Sequence, residues 1–365
     1  MRPVTEAELS EAVMSATAPV IIRGGGTRAL GFCAGDLLET TGLSGITLYE
    51  PGALTLVARA GTPLAEVDAA LAAERQRLAF DPPDLRAVLG RGGLSTIGGV
   101  VAANASGPRR IQVGACRDAI LGVRFVDGAG NIVKNGGRVM KNVTGYDLVK
   151  LMAGSHGTLG VLSEISFKVQ AMPEAELTLT ALRDLGAGLA DLRAALASPF
   201  DVSGAGYMAG RAMIRLEGMA GSVAYRADAL TRHLGGDWQR CEATDSASLW
   251  ADLRDVTPFA GRTGAIWRVS VKPTDALRIG MALDDRNDTI YDWGGGLIWI
   301  LVPEGAAISV RTAVGPAGHA TLVRAPKDMP PIPAFAPEPP GIAALTTALR
   351  AKYDPRGILN QGLMG

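Results

Sequence analysis

Three glycine clusters carry most of the chemical information in the sequence. The first, Gly24-Gly25-Gly26-Thr27, follows the apolar run Val20-Ile21-Ile22 and Arg23. Consecutive glycines expose several backbone N–H groups with no Cβ in the way, and such a concavity suits a pyrophosphate. Charge-assisted hydrogen bonds are worth about 1.5–3 kcal/mol each, so three or four would hold a dinucleotide. The second cluster, Ser95-Thr96-Ile97-Gly98-Gly99, opens a small-residue stretch that reaches Asn104. Small side chains allow close approach to a large ligand. The polar groups of Ser95, Thr96 and Asn104 could bond phosphates or a polar ring. The third cluster, Gly154-Ser155-His156-Gly157-Thr158-Leu159-Gly160-Val161, has two glycine gaps of three and runs into a strand. A lone histidine in such a loop reads as structural before it reads as catalytic.

The elements around these clusters are mostly short. Thr5-Glu6-Ala7-Glu8 has capping-box spacing and opens a helix to about Ala16. Val20 to Ile22 reads as a buried strand. Gly24-x-Gly26-x-x-Ala29 nearly fits a Rossmann fingerprint, but Cys33-Ala34-Gly35-Asp36 breaks any helix after it, and the next segments are β-like. Thr62-Pro63 starts a second helix. Ile120 to Val126 and Ile132 to Lys134 flank a hairpin signal at Asp127-Gly128-Ala129-Gly130-Asn131. After Met172 the character changes to strands alternating with helices, an α+β pattern of roughly 150 residues. Residues 329–340 hold six prolines and read as a stiff connector before a last helix over 342–352.

Composition narrows the classes. With 365 residues, two domains or one domain with a large insert are expected. Lys+Arg and Asp+Glu both number 36, so the net charge gives no general reason to bind nucleic acid or an anionic membrane. Glycine is the departure: 47 residues, nearly twice the usual share of about 7%. Cys33, Cys116 and Cys241 lie far apart with no CxxC, which argues against a Cys-ligated cluster and for a reduced, cytosolic chain. No metal site is expected. The strongest apolar run, Leu297 to Val302, is too short to span a bilayer.

Taken together, in this order and spacing, the clusters resemble the flavin-binding (PCMH-type) domain of the vanillyl-alcohol oxidase/p-cresol methylhydroxylase superfamily. The matching residues are Ile22-Arg23-Gly24-Gly25-Gly26-Thr27, then Thr96 through Gly107, then Gly114, Asp118 and Leu121-Gly122, and finally Gly154 through Glu164. The tail, Tyr353-Asp354-Pro355-Arg356-Gly357-Ile358-Leu359-Asn360, is similar to the segment that returns to the flavin in the 2-hydroxy-acid branch. Within that branch the chain most resembles the FAD-binding subunits of bacterial glycolate oxidases, through Ala105 to Arg110 and Met140 to Leu148.

The resemblance implies an α+β fold: an FAD-binding domain of two α+β subdomains over 1–172, a smaller ferredoxin-like cap over 173–328, and a connector and tail over 329–365. It implies FAD contacts from Gly24, Gly25, Gly26 and Thr27 to the pyrophosphate. Thr96, Gly98, Gly99 and Asn104 would line the flavin. Gly154, Gly157, Gly160 and Val161 would meet the adenosine or ring system, and Asn360 the isoalloxazine edge. Arg23, Gly107, Gly114 and Asp118 belong to the same cofactor pattern. The first loop lacks His and Cys, so the FAD is expected to be noncovalent. His156 stands where an acidic residue is common, and Gln361 where proline is common. Partners implied are a second FAD-containing catalytic subunit and an iron–sulfur subunit, holding the chain in the cytoplasm or at the inner membrane.

Oxidising a 2-hydroxy acid moves a hydride to the flavin and needs a cation for the carboxylate and a base for the hydroxyl proton. In the strand expected over 265–272, Ile266, Arg268, Ser270 and Lys272 share one face and Trp267, Val269 and Val271 the other. Arg268 and Lys272 could then point toward the flavin and receive an anion, although a solvated strand face is the plainer reading. Tyr146 is the only candidate base. His156, His233 and His319 form no His-rich stretch of the kind the hydroxy-acid dehydrogenases of the superfamily carry in their cap. Three functions stay open: a glycolate dehydrogenase subunit that turns over substrate, an accessory FAD-binding subunit that depends on a sister chain, and a different small-molecule flavin oxidoreductase of the same fold.

Overall fold

The structure is a computed structural model. It describes all residues except 139–144, 284–287, 305–308, 327–328, 330–331 and 365. The first helix, Glu6–Ser15, begins where the capping signal lies: Thr5 Oγ1 accepts from Glu8 N at 3.2 Å. Strand Val20–Arg23 follows and pairs in parallel with Asp36–Glu39. Leu9, Val13, Val20 and Leu38 share a core with Ile358 and Leu359 from the end of the chain. The tail is thus sewn into the N-terminal layer. Val20 N donates to Ile358 O at 2.8 Å and Asn360 N to Val20 O at 3.0 Å.

An antiparallel five-stranded sheet comes next, in the order Ile46–Glu50, Thr55–Arg59, Val161–Lys168, Ile120–Val126, Ile132–Gly136. Its hairpin closes as expected, with Asp127 Oδ1 accepting from Ala129 N and Asn131 N at 2.9 and 2.8 Å. Helices Leu64–Ala73 and Ile97–Ala102 cover the sheet through Val67, Leu71, Ile97 and Val101.

Strands between 175 and 324 form a single eight-stranded antiparallel sheet. Its topology is a repeat. Ala175–Leu182, helix Leu185–Ala197, Val202–Met208, Arg211–Gly218, helix Ala220–Leu234 and Gln239–Glu242 make one βαββαβ unit. Ala265–Val271, helix Ala276–Ala282, Asp288–Asp292, Leu297–Val302, helix Val310–Val314 and Gly318–Arg324 make a second. Each is ferredoxin-like, and the two join edge to edge where Tyr207 pairs with Tyr291. The expected ferredoxin-like cap is therefore built from two such units. The four helices share one face with Leu189, Leu230, Trp267 and Val269. The opposite face carries Ile266, Trp293, Leu297 and Trp299 and packs toward the rest of the chain.

Among the elements not anticipated from the sequence are the strands Asp36–Glu39, Gln239–Glu242 and Asp288–Asp292, the short helices Arg86–Leu89 and Arg110–Val113, and the helix Ala243–Asp255. That helix lies on two glycines of strand Val202–Met208. A Cβ on Gly204 would sit 2.8 Å from the Trp250 ring, and one on Gly206 2.3 Å from Leu253 Cδ1. The partner surface, not helix propensity, fixes it there.

A buried ionic cluster ties the two halves together. Arg109, from the loop before helix Arg110–Val113, meets Glu217 at 3.0 Å and Asp81 at 3.1 Å. Arg77 reaches Glu217 at 2.6 Å and Arg254 reaches Asp81 at 3.1 Å. Arg215, whose side chain is 1% exposed, bonds Ser203 O at 3.1 Å and stacks on Trp250.

Candidate functional site

Two cavities meet at His156. The larger, about 420 Å³, is floored by backbone. Arg23, Gly24, Gly25, Gly26, Thr27, Thr96, Gly98, Gly99, Gly157, Gly160 and Asn360 all line it, so residues separated by more than 300 positions converge on one hollow. The first loop is pressed against the second cluster. A Cβ on Gly24 would stand 2.3 Å from Thr96 Oγ1, and one on Gly25 1.6 Å from Leu94 O. Gly26 has φ +70°, which an L-residue adopts only with strain. Thr96 caps helix Ile97–Ala102 by accepting from Gly99 N at 3.3 Å. Arg91, which the sequence reading passed over, donates from Nη1 to Gly26 O at 3.2 Å and places a cation beside the loop.

Asn360 holds the cavity together. Its Oδ1 accepts from Ile22 N at 2.8 Å and its Nδ2 donates to His156 O at 2.7 Å. The side-chain amide is thus engaged with two backbone segments, the first and third glycine clusters. A Cβ on Gly157 would meet that amide at 2.9 Å. A hollow this size, lined by glycines of three clusters, small side chains and the cations Arg23, Arg28 and Arg91, fits a long ligand with an anionic centre and a flat ring, as FAD is.

The second cavity, about 190 Å³, shares Arg28, Leu30, Ala103 and His156 with the first and sets charged and aromatic side chains among aliphatic ones. Arg268 enters it from strand Ala265–Val271, Arg110 from helix Arg110–Val113, and Asp292 from the end of Asp288–Asp292. The Trp293 ring sits under both cations, 4.5 Å from the Arg110 guanidinium carbon and 5.4 Å from that of Arg268. Neither guanidinium has a hydrogen-bond or ion-pair partner among the described residues. The other two arginines of the lining are occupied. Arg28 bonds Ser95 Oγ and Pro83 O, and Arg254 bonds Asp81 and Asp255. Phe335 closes on His156 edge-on, 5.2 Å between ring centres.

Burial sets the protonation states here. It lowers Arg268 to about 10, helped by the Arg110 charge and opposed by Asp292, so Arg268 stays cationic at neutral pH. Burial, then the Arg268 charge, lowers His156 to about 4, which leaves a neutral imidazole. Burial raises Asp292 to about 7, against the Trp293 N–H bond and the charges of Arg215 and Arg268.

Several expected site residues lie elsewhere. Asn104 and Gly107 line the second cavity, and the Asn104 amide oxygen accepts from Arg117 N at 3.0 Å. Gly114, Asp118, Gly154 and Val161 line neither cavity. Asp118 closes the turn after Gly114 by accepting from Ala115 N at 2.8 Å, and Val161 is fully buried in the N-terminal core. Gly154, at φ +91°, packs on Asn104 Cβ. Two expectations for the chemistry need correction. Strand Ala265–Val271 ends before Lys272, which turns out to solvent, because Pro273 starts a tight turn there. Tyr146 is 83% exposed and lines neither cavity; its backbone carbonyl accepts from Asn135 Nδ2 at 3.0 Å just before helix Leu148–Met152. Residues 140–144 of the motif that begins at Met140 lie outside the described residues. Asp292 and His156 are the groups the sequence reading undervalued; burial beside unpaired arginines is their signal, and it is visible only in three dimensions.

Among the described residues no helix is long and apolar enough to cross a membrane. A family model described as an FAD binding domain matches residues 1–136. The chain is 36% identical over 360 residues to the glycolate oxidase subunit GlcE of Escherichia coli, an alignment that covers 98% of this chain and 95% of that protein. It is 34% identical over 168 residues to glycolate oxidase subunit GlcD of Bacillus subtilis, covering 45% of this chain and 34% of that one. The structure of an alkyldihydroxyacetonephosphate synthase superposes with a TM-score of 0.69 at 14% identity, over 100% of this chain and 77% of that one. That likeness shows the fold. Full-length similarity, the family match and the glycine-floored cavity agree: the chain belongs to the PCMH-type family of FAD-dependent oxidoreductases, alongside glycolate oxidase subunit GlcE.

Proposed function

We propose that the chain binds FAD noncovalently in the larger cavity and oxidises a small 2-hydroxy acid, glycolate, to its 2-oxo acid in the smaller one. The observation that carries this reading is the pair of unpartnered cations, Arg268 and Arg110, stacked on Trp293 in a cavity contiguous with the glycine-lined one. A guanidinium pair with no hydrogen-bonded or ion-paired carboxylate among the described residues is suited to a ligand carboxylate. The volume of about 190 Å³ favours a small acid.

In this reading residues 1–172 form the flavin-binding domain, 173–328 the cap and 329–365 the connector and returning tail. Gly24, Gly25, Gly26 and Thr27 hold the pyrophosphate with their N–H groups, and Arg91 neutralises it. Thr96, Gly98, Gly99, Gly157 and Gly160 allow the ring system close approach. FAD supplies the acceptor for the hydride on the hydroxyl-bearing carbon. The chain's own part is to clamp the carboxylate with Arg268 and Arg110. Phe335, Trp299 and Leu297 exclude water around the bound acid. Cys33 and His156 also line the larger cavity, but burial raises the Cys33 thiol, which opposes a thiolate. A flavin adduct in the mass spectrum of the denatured chain would overturn the noncovalent assignment.

The printed names of the relatives support membership in a glycolate oxidase complex. Its other members would be a second flavin subunit and an iron–sulfur subunit that carries electrons away, in the cytoplasm or at the inner membrane. The test is the visible spectrum of the purified chain before and after anaerobic glycolate. A flavin spectrum that bleaches supports the reading. One that bleaches only in the assembled complex moves the chemistry to a sister chain. Failure to take up FAD sinks it.

A further inference from the structure

We propose that Asp292 is the proton acceptor of the second cavity, its free carboxylate oxygen facing an acid whose own carboxylate is held by Arg268 and Arg110. This rests on the reading above and supplies the group that reading lacks.

Asp292 is the only carboxylate among the described lining residues of this cavity. It is 2% exposed. One oxygen, Oδ1, accepts from Trp293 N at 2.7 Å, which fixes the carboxyl plane. The other has no hydrogen-bond partner among the described residues. The backbone that places it is strained at Trp293, a non-glycine residue at φ 56°; Gly294 and Gly295 follow at 64° and 101°, which glycine adopts freely. Such strain persists only where surrounding structure overrides it, and here Trp293 Nε1 donates to Gly107 O at 3.1 Å. The turn therefore locks Asp292 and the Trp293 ring, on which both cations stack, into one unit.

The charged groups around Asp292 come from several elements: Arg268 from strand Ala265–Val271, Arg215 from Arg211–Gly218, Arg110 from its helix, Asp81 from the loop before Pro82, and His156 from the third glycine cluster. The usual order of carboxylate and imidazole is inverted here. Asp292 sits near the pH at which a base and its conjugate acid are both populated, whereas His156 is held neutral below it. In the step, the O–H bond of the hydroxy acid breaks and its proton goes to Asp292 Oδ2. Bound FAD would supply the acceptor for the hydride released as the C–H bond breaks. The O–H pair becomes the new C=O bond, leaving the 2-oxo acid. Arg268 and Arg110 hold the carboxylate throughout.

The test uses the FAD-loaded chain, in its complex if turnover requires it, with Asp292→Asn and His156→Gln. The first readout is proton uptake on binding oxalate, which has no C–H to oxidise, by calorimetry at pH 8 in buffers of different ionisation heat. An anion placed beside Asp292 raises its proton affinity, so wild type should take up about half a proton per oxalate, D292N almost none and H156Q the wild-type amount. The second is kinetic. D292N should lower kcat/KM for glycolate by about 100-fold or more and flatten the pH limb near 7, with oxalate affinity within about threefold of wild type. Turnover in D292N within about threefold of wild type, or proton uptake that persists in D292N and vanishes in H156Q, overturns the assignment. So does absence of uptake in wild type that binds oxalate, a result independent of how D292N folds. Wild type that holds FAD but neither binds oxalate nor oxidises any 2-hydroxy acid brings down the proposed function itself, and this assignment with it.

Discussion

The chain holds two groups of buried arginines with opposite bookkeeping. Around Glu217, four arginines face carboxylates of their own chain: Arg77, Arg109 and Arg215 at Glu217, and Arg254 at Asp81. In the second cavity, Arg268 and Arg110 face a Trp ring and open space. Both groups join the five-stranded side of the molecule to the eight-stranded sheet. In the first, every arginine has a carboxylate partner within the chain, and the pairs hold the halves in register. The second is incomplete without an anion from outside. Burial of a charge is costly unless it is paired, so a cation kept unpaired in a cavity points to a ligand that completes it.

The largest effect is expected where the closed cluster is opened. Glu217→Ala leaves Arg215 and Arg109 buried without their main partner and should cost about 3–5 kcal/mol, read as a lower denaturant midpoint. A loss within the range of an ordinary surface change would mean that the cluster is not the lock described. Arg268→Met should do the reverse. It removes an unpaired cation, so stability should stay within about 1 kcal/mol of wild type, while KM for glycolate rises about 10–100-fold. Destabilisation equal to that of Glu217→Ala would erase the contrast between the groups. Arg110→Met should have the same signature at a smaller scale, about 3–10-fold in KM, because only part of the clamp is lost.

The last contrast is in the pH dependence of stability, where the sign separates the two groups. Burial alone would raise the Glu217 carboxyl, but Arg215, Arg109 and Arg77 hold it well below the usual carboxylate range. Its contribution is fully present above pH 4.5 and is lost as the pH falls through the folded value. Asp292 titrates near 7 when folded and near 3.8 when not, so its contribution is present below 3.8 and lost as pH rises through about 7. His156 tilts the other way, losing its contribution as pH falls from 6.5 toward 4. Between pH 4 and 7 these last two nearly offset. Asp292→Asn should therefore gain stability over wild type as pH rises across that window, measured by denaturation at several pH values. A difference independent of pH would mean that Asp292 is not raised.

The two cavities differ in the same way in how they could be read. The first is built from local signals. Gly24, Gly25, Gly98 and Gly157 are needed where Thr96 Oγ1, Leu94 O, Ala60 O and the Asn360 amide approach too closely for a Cβ, and Gly26 for its φ of +70°; such needs leave glycines in the sequence. The alternation in strand Ala265–Val271 also separates the two faces: Ile266 and Arg268 lie away from the helices, and Trp267 and Val269 toward them. What alternation could not supply was where the strand stops, so Lys272 was carried one residue too far. Tyr146 failed because type and proximity in sequence say nothing about direction.

The sequence by itself determined the segments that approach a large cofactor, the class of layer each side of the molecule adopts, and the flavin family, because these rest on backbone conformation and periodicity that neighbouring residues encode. The tertiary structure alone decided which ionisable groups meet. Asp292, His156, Arg110 and Arg268 come from four separate segments, and each is ordinary in its own window. Their perturbed protonation arises from the low-dielectric space they enclose together, a property of their assembly that no stretch of chain carries.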